Sequence, residues 1–220
     1  FKAVHFFIRC RKEKELSSGT LLFDDILCDT AEFLKENPTE TVIVSIKMDS
    51  GVNVKDFYKS FRSRYIDSQK DLWYTENKIP TLGAVRGKIV LMRRCMLGTN
   101  DLSSVDNGLD FSYWEDQKGT DNPLPCWFGN EKNEKAIIQD RYALKKEEKW
   151  QSAVTTMLGD YRPHKNIMAL NFLSTRGNPR ENAEYINKMF SEYSLPDKPF
   201  GIIIFDFLTE ALAEKVINTN

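Results

Sequence analysis

The chain has 220 residues, of which 41% are hydrophobic and 29% are charged, and its formal net charge at pH 7 is −1. The hydrophobic content excludes an intrinsically disordered chain, and the balanced charge gives no sign of a nucleic-acid-binding surface, which is typically strongly basic. Apolar runs such as Ile202–Phe205 are far shorter than the roughly 20 residues of a membrane-spanning helix. We therefore expect a globular protein with one domain over residues 1–220.

Short apolar runs alternate with stretches of helical periodicity, which predicts parallel strands joined by crossover helices. The predicted strands are Ala3–His5, Val42–Lys47, Lys88–Arg93, Ile137–Asp140, Ile167–Phe172 and Gly201–Asp206. The predicted helices are Phe23–Leu34, which Asn37 and Pro38 end, and then Val54–Tyr65, Glu147–Leu158, Pro179–Tyr193 and Thr209–Asn218. Both a doubly wound sheet and a (β/α) barrel have this order of elements.

The stretch from Gly98 to Asn133 is rich in Asp, Asn, Gly and Ser, and it predicts one or more long loops. We place Trp127 and Phe128 on such a loop because Pro125 and Gly129 flank them. The four cysteines lack the spacing of a zinc site, so we expect mostly free thiols.

Polar side chains follow most of the predicted strands. They are His5, Lys47, Arg93, Arg94, Asp140, Asn171 and Asp206. The carboxyl ends of parallel strands are where sites are built, and a barrel points every such end toward one opening. The pattern therefore favours the barrel over the open sheet.

The residue types at these strand ends suit an anionic substrate such as a phosphate ester, and a histidine can act there as general acid or base. The sequence contains no nucleophile elbow, P-loop or dinucleotide fingerprint, and no carboxylate cluster that predicts a metal. Each residue alone also fits a structural role. Asp140 and Asp206 could cap the helices that follow, and one of the adjacent Arg93 and Arg94 must face away.

Several sequence blocks carry a more specific signal. They are Phe23–Leu27, Phe33–Lys47, Leu82–Arg94, Trp114–Asp116, Ile138–Tyr142, Leu170–Ser174 and Ile204–Phe207. In this order they resemble the X-domain family of phosphatidylinositol-specific phospholipases C of bacteria and fungi.

The resemblance implies a TIM-like barrel that cleaves phosphatidylinositol to diacylglycerol and inositol 1,2-cyclic phosphate. By this resemblance His5 is the general acid. Asp206 is the carboxylate that orients the family's other catalytic histidine, which is the general base. The residues that it places at the inositol headgroup are Lys47, Arg94, Asp140, Tyr142, Trp114 and Asp116. It also implies that the aromatic residues around Trp127 touch the bilayer.

In the family, the general base, its aspartate partner and a phosphate-binding arginine precede the histidine that corresponds to His5. We therefore expect an incomplete barrel with about six of eight strands, the first two missing, and weak or no activity in this segment alone. Phe6 also departs from the glycine that usually follows that histidine.

The resemblance implies an inositol lipid as substrate, transient contact with a membrane surface, no nucleic-acid partner, a monomer, and no metal or other cofactor. It leaves the localisation open and favours secretion. Two other functions remain open: a glycerophosphodiester phosphodiesterase, and a non-catalytic module that binds inositol phosphates or lipid headgroups.

Overall fold

The computed structural model of the chain describes the backbone of residues 4–5, 8–9 and 54–55, and residues 20–48, 56–97, 106–118, 124–129, 132–154, 166–197 and 200–219 in full. The chain divides into two compact units, Phe1–Ser112 and Tyr113–Asn220. The expectation that residues 1–220 act as one domain stays a prediction.

The described part of the first unit consists of strands and helices that follow one another in an irregular order along the chain. They are β1 (Val4–His5), β2 (Ile8–Arg9), α1 (Phe23–Glu36), β3 (Val42–Ile46), α2 (Val54–Phe61), β4 (Trp73–Tyr74), α3 (Leu82–Val85), β5 (Ile89–Arg93) and β6 (Leu109–Asp110). The central strand is β5, which pairs in parallel with β3, β4 and β6. All five residues of β5 are buried, as expected for a strand covered on both faces.

The core of the first unit forms where α1 and α2 pack near strands β3 and β5. Helix α1 ends at Glu36, and the next residue, Asn37, caps it directly before Pro38 by donating from its side-chain amide to the Phe33 carbonyl at 2.9 Å. The buried residues of this core are Leu27, Leu34, Ile46, Tyr58, Phe61, Tyr65, Ile66, Trp73, Ile89, Leu91 and Cys95. The sequence prediction for α1 is therefore confirmed.

The second predicted helix, Val54–Tyr65, is α-helical only in its first part. Helix α2 ends at Phe61, and the chain continues as a π-helical turn over Arg62–Ile66. In this turn Arg62 donates to the Asn107 side chain at 2.9 Å, and the Tyr65 hydroxyl donates to Asp24 at 2.8 Å. These contacts hold the wider turn in place.

The first predicted strand pairs differently from the expectation. Val4–His5 forms a two-residue strand that is antiparallel to Ile8–Arg9, with Phe6 and Phe7 between them. The prediction of a parallel strand at Ala3–His5 is therefore wrong in its pairing, because a partner two residues further along the chain can pair only as a hairpin.

The described residues of the second unit form one four-stranded sheet and three helices. Its elements are β7 (Leu124–Phe128), β8 (Glu134–Gln139), α4 (Lys146–Ala153), β9 (Ile167–Phe172), α5 (Pro179–Glu192), β10 (Ile202–Ile204) and α6 (Glu210–Ile217). The strand order is β10–β9–β8–β7, and β8, β9 and β10 run parallel to one another.

Strand β7 corrects the prediction that Trp127 and Phe128 lie on a loop. The segment is antiparallel to β8 and alternates between exposed and buried residues, with Trp127 exposed and Phe128 buried. Pro125 is compatible with this strand because β7 lies at the edge of the described sheet, where a missing N–H is tolerated. Gly129, with φ of 87°, follows its last residue.

The helices of the second unit agree with the sequence prediction to within a few residues. Asn178 caps α5 by accepting from the Glu181 amide at 3.4 Å, and Thr209 caps α6 by accepting from the Leu212 amide at 3.4 Å. The predicted end of α4 near Leu158 lies outside the described residues. Among the helices that are described, none is long and apolar enough to cross a membrane.

Candidate active site

Two of the predicted cations lie side by side at the carboxyl edge of the first unit's sheet. Ile46 pairs with Arg93 in the register of β3 and β5, so Lys47 and Arg94 are the next residues on neighbouring strands. The Arg94 amide donates to the Ile46 carbonyl at 2.8 Å, which extends the pairing by one step. Lys47 is exposed and Arg94 is half-buried, so both are accessible from solvent.

Arg93 has a different environment from Arg94. It is only 2% exposed, and its guanidinium pairs with Asp110 at 2.8 Å and donates to the carbonyls of Asn107 and Cys95. These contacts tie the end of β5 to β6 and to the residues before it. The structure therefore answers which of the two adjacent arginines faces inward: Arg93 stabilises the fold.

His5 lies in the two-residue strand β1. Its side chain is outside the described part of the chain, so its assignment as general acid stays a prediction.

Three of the predicted residues of the second unit cluster where β8 ends. Asp140 follows β8 directly and is half-buried. The Tyr142 hydroxyl hydrogen-bonds the Asp116 carboxylate, which raises the pKa of that phenol above its ordinary value. The Tyr142 amide donates to the Asp140 carbonyl at 2.9 Å, so the two residues belong to one tight turn.

Trp114, two residues before Asp116 in the chain, makes an aromatic contact with β9. Its ring centroid lies 5.6 Å from that of Phe172, with the planes at 67° to each other. An edge-to-face pair of this kind fixes the indole beside the carboxyl end of β9. Phe172 was not predicted as a site residue, although it belongs to one of the sequence blocks that carry the resemblance.

Asp206 lies two residues after β10 and is half-buried. The Asn187 side-chain amide on α5 donates to the carbonyl of Asp206 at 3.1 Å and to the carbonyl of Phe207 at 3.2 Å. Phe207 has a φ of 51°, a left-handed conformation that is unusual for an aromatic residue. The turn that carries Asp206 is thus held from α5.

Sequence reasoning missed two buried glutamines that support Asp140. Gln117 accepts from the Asp140 amide at 2.9 Å and donates to the Ile138 carbonyl at 2.9 Å. Gln139 accepts from the Arg141 amide at 3.1 Å and donates to Asn171 at 2.8 Å. A buried side-chain amide indicates a hydrogen-bond network of this kind, but tertiary packing decides which groups are the partners of the amide.

Sequence reasoning also missed Lys149. It lies on α4, is completely buried, and donates from Nζ to Oε1 of Gln139 at 2.8 Å. Burial lowers the pKa of this amine to about 7, while the charges of Asp140 and Asp206 act in the opposite direction. Both carboxylates are candidate site residues.

The second unit therefore offers hydroxyl acceptors and an aromatic ring at its strand ends, which suits a polyhydroxylated ring as ligand. Within the described ranges, no three His, Cys, Asp or Glu side chains lie close enough to form a metal site. In the first unit, two solvent-accessible cations, Lys47 and Arg94, follow β3 and β5.

No protein-family model matches the chain. A curated 1-phosphatidylinositol phosphodiesterase of Listeria monocytogenes is 28% identical over 236 residues, which cover 97% of this chain and 66% of that protein. This chain thus spans just under two thirds of the length of that relative.

Solved structures also match. A phosphatidylinositol-specific phospholipase C of Staphylococcus aureus has a TM-score of 0.71 at 23% identity, over 92% of this chain and 71% of that chain. The enzyme of the same name from Listeria monocytogenes has a TM-score of 0.65 at 25% identity, with the same coverage of both chains.

The fold is therefore that of the α/β proteins of the TIM-barrel type, as the sequence predicted. Within that class, the chain is similar in sequence and in fold to the bacterial phosphatidylinositol-specific phospholipases C, and the resemblance of the sequence blocks is confirmed.

Proposed function

We propose that the protein cleaves the phosphodiester bond of phosphatidylinositol or a related inositol lipid. The cluster of Asp140, Tyr142 and Asp116 at the end of β8 carries this proposal. It lies in a chain that is similar over 97% of its length to a 1-phosphatidylinositol phosphodiesterase. Carboxylate acceptors beside an aromatic ring match a sugar-like ring, which has hydroxyl donors at its edge and apolar C–H groups on its faces.

In the proposed reaction the 2-hydroxyl oxygen of inositol attacks phosphorus, and the bond from phosphorus to the diacylglycerol oxygen breaks. His5 gives its proton to the departing oxygen, so the products are diacylglycerol and inositol 1,2-cyclic phosphate. The 2-hydroxyl proton goes to the family's general base, whose orienting carboxylate corresponds to Asp206. Proton transfer by a positioned histidine typically contributes about 10²–10⁴-fold to the rate.

Substrate binding falls to the residues at the strand ends. Asp140 accepts hydrogen bonds from ring hydroxyls, and the Tyr142 ring packs against the face of inositol. Lys47 and Arg94 supply positive charge for an anionic lipid headgroup, and we expect no metal ion to be needed. Asp116 holds the Tyr142 hydroxyl through a hydrogen bond, and Trp114, which packs on Phe172, lines the loop beside the pocket.

Contact with the membrane surface is proposed for the exposed face of β7. Trp127 is 48% exposed and Tyr113 is 64% exposed, and both border a groove of about 490 Å³. Lys135 lies 5.1 Å from the Trp127 ring and Lys132 lies 5.8 Å from the Tyr113 ring. Aromatic side chains next to lysines are typical of surfaces that meet lipid headgroups.

This membrane contact can be tested by sedimentation with vesicles that contain phosphatidylinositol. We expect Trp127→Ala to weaken binding about tenfold, since the indole buries apolar area in the headgroup region. Phe33→Ala is the matched control, because Phe33 is 44% exposed on α1, outside the aromatic surface of β7. Equal binding by Trp127→Ala and Phe33→Ala would exclude β7 as the contact.

The activity is tested by measuring release of inositol 1,2-cyclic phosphate, with and without a chelator. The assay uses the 220-residue chain and, separately, the product of the complete reading frame that encodes it, called here the extended protein. We expect turnover from the extended protein, no effect of the chelator, and little turnover from the 220 residues alone.

The chain contains two histidines, which gives a matched pair of variants. His5→Ala should abolish turnover, whereas His164→Ala should leave it unchanged. A folded, extended protein that binds inositol phosphate without cleaving the lipid would instead favour a binding module. Size-exclusion chromatography of the same protein tests our expectation of a monomer, and we propose that residues 1–220 belong to one catalytic domain.

A further inference from the structure

Lys149 is the least expected side chain of the second unit. Lysine is almost never fully buried unless it is paired, yet Lys149 is 0% exposed on helix α4. Its Nζ donates to Oε1 of Gln139 at 2.8 Å. Burying an amine in this way costs free energy, so its surroundings must compensate for the loss of water.

Gln139 connects Lys149 to the carboxyl ends of two strands. Its Nε2 donates to Oδ1 of Asn171 at 2.8 Å and to the Phe172 carbonyl at 2.9 Å. Asn171 in turn donates to the Ala153 carbonyl of α4 at 3.2 Å. The network thus begins and ends on α4 and passes through β8 and β9.

The same Gln139 oxygen has a second donor. The Arg141 amide donates to Oε1 at 3.1 Å, so the oxygen bridges the Lys149 amine and the backbone of the turn that follows β8. This turn carries Asp140 and Tyr142. The Gln139 side chain therefore holds the backbone at the start of that turn.

The charges around Lys149 belong to the candidate site. Asp140 after β8 and Asp206 after β10 favour the protonated amine, while burial and Arg141 oppose it. Lys149 therefore interacts electrostatically with two of the residues that the proposed function assigns to the site, in addition to its hydrogen bond to Gln139.

We propose that Lys149 is a positioning residue of the candidate active site: it holds Gln139 and thereby fixes the turn that presents Asp140 and Tyr142 to the ligand. The consequence for turnover rests on the proposed function, whereas the effect on the turn does not.

The first test needs no substrate. Lys149→Met removes the donor to Gln139 while filling a similar volume, and we expect exchange of the Arg141 amide hydrogen to accelerate about tenfold or more. The Leu173 amide, which donates to the Ile204 carbonyl at 2.9 Å, is the internal reference and should stay unchanged. Unchanged exchange at Arg141 would overturn the proposal, whatever the protein's activity.

Two further variants separate positioning from general loss of packing. Lys149→Gln keeps an N–H donor and should restore most of the protection at Arg141, and it replaces Lys149→Met if the latter does not fold. Lys145→Met, at an exposed lysine just before α4, should behave as the wild type. Equal loss of protection in Lys149→Met and Lys149→Gln would overturn the role of the donor.

The second test uses the extended protein and phosphatidylinositol. We expect Lys149→Met to raise KM about tenfold with a smaller change in kcat, as for loss of a hydrogen bond to a charged group. In an Asp140→Asn background the same change should have little further effect, because Lys149 acts through that turn. Equal factors in both backgrounds would show a purely structural role. Absence of turnover in the wild type would contradict the proposed function alone, since amide exchange still decides the role of Lys149.

Discussion

Arg93 and Asp110 form an ion pair of 2.8 Å that joins the end of the central strand β5 to β6. The Arg93 side chain is 3% exposed and that of Asp110 is 31% exposed, so this pair is largely shielded from water. Asp110 also accepts from the Ser112 hydroxyl at 2.6 Å. Arg93 thus stabilises the fold, whereas the adjacent Arg94 lies at the carboxyl edge of the sheet.

The two arginines should respond differently to the same substitution. Arg93→Met leaves Asp110 without its cation and should lower the free energy of unfolding by about 3 kcal/mol. Arg94→Met should change it by less than about 1 kcal/mol while weakening binding of the inositol lipid. Urea denaturation measures the first effect and vesicle binding the second. Similar losses of stability in both variants would contradict the division of roles.

Tyr142 is expected to act through its ring more than through its hydroxyl. Its hydroxyl is engaged by Asp116, and this hydrogen bond raises the pKa of the phenol. Tyr142→Phe keeps the ring and should change KM for phosphatidylinositol less than about threefold, whereas Tyr142→Ala should raise KM about tenfold or more. Steady-state kinetics of both variants checks this, and equal effects would show that the hydroxyl is the essential group.

The stability of the protein should depend on pH through Lys149. Its pKa in the folded protein is about 7, below the ordinary 10.5, so the unfolded chain binds more protons between these two values. The free energy of unfolding should therefore rise with pH from about 7.5 to 9.5, by about 1 kcal/mol per pH unit from this group. Lys149→Met should lack this rise. Parallel pH profiles of the wild type and the variant would contradict the prediction.

Gly201 permits the close pairing of β10 with β9. It has a φ of +81°, and a Cβ at this position would lie 2.5 Å from Cβ of Ala169. Gly201→Ala should therefore lower the free energy of unfolding by about 2 kcal/mol or more. Gly83→Ala is the control, since no atom lies within 4 Å of a Cβ there and Gly83 is in a short helix. Thermal unfolding should show opposite shifts in the two variants, because alanine favours a helix.

Strands and helices whose signal is local could be predicted from the sequence. The apolar run that becomes β5 is buried on both faces and reads as a strand without knowledge of its partners. Trp127 was placed wrongly, because Pro125 and Gly129 indicate a loop unless the segment is known to be an edge strand. The pairing of β7 with β8 is antiparallel in a sheet that is otherwise parallel, and local composition does not show this.

The candidate site was predicted unevenly for a similar reason. Asp140 and Tyr142 lie close to a strand end and could be found from their place in the chain. Lys149 could not, since lysine on a predicted helix is expected to face solvent, and tertiary packing beside Gln139 buries it. Gln117 lies 23 positions before Asp140, to which it is hydrogen-bonded, and sequence reasoning gave no reason to connect the two.

Through Asn187, helix α5 holds a residue that lies outside the helix, namely Asp206. The Asn187 side-chain amide donates to the backbone carbonyls of both Asp206 and Phe207, and so holds the stretch of backbone from which the Asp206 side chain extends. The left-handed conformation of Phe207 costs on the order of 1 kcal/mol. We expect this conformation to relax if the hydrogen bonds from Asn187 are lost. We therefore expect substitution of Asn187 to shift the backbone at Asp206, a proposed site residue, although Asn187 itself lies on a helix outside the candidate site.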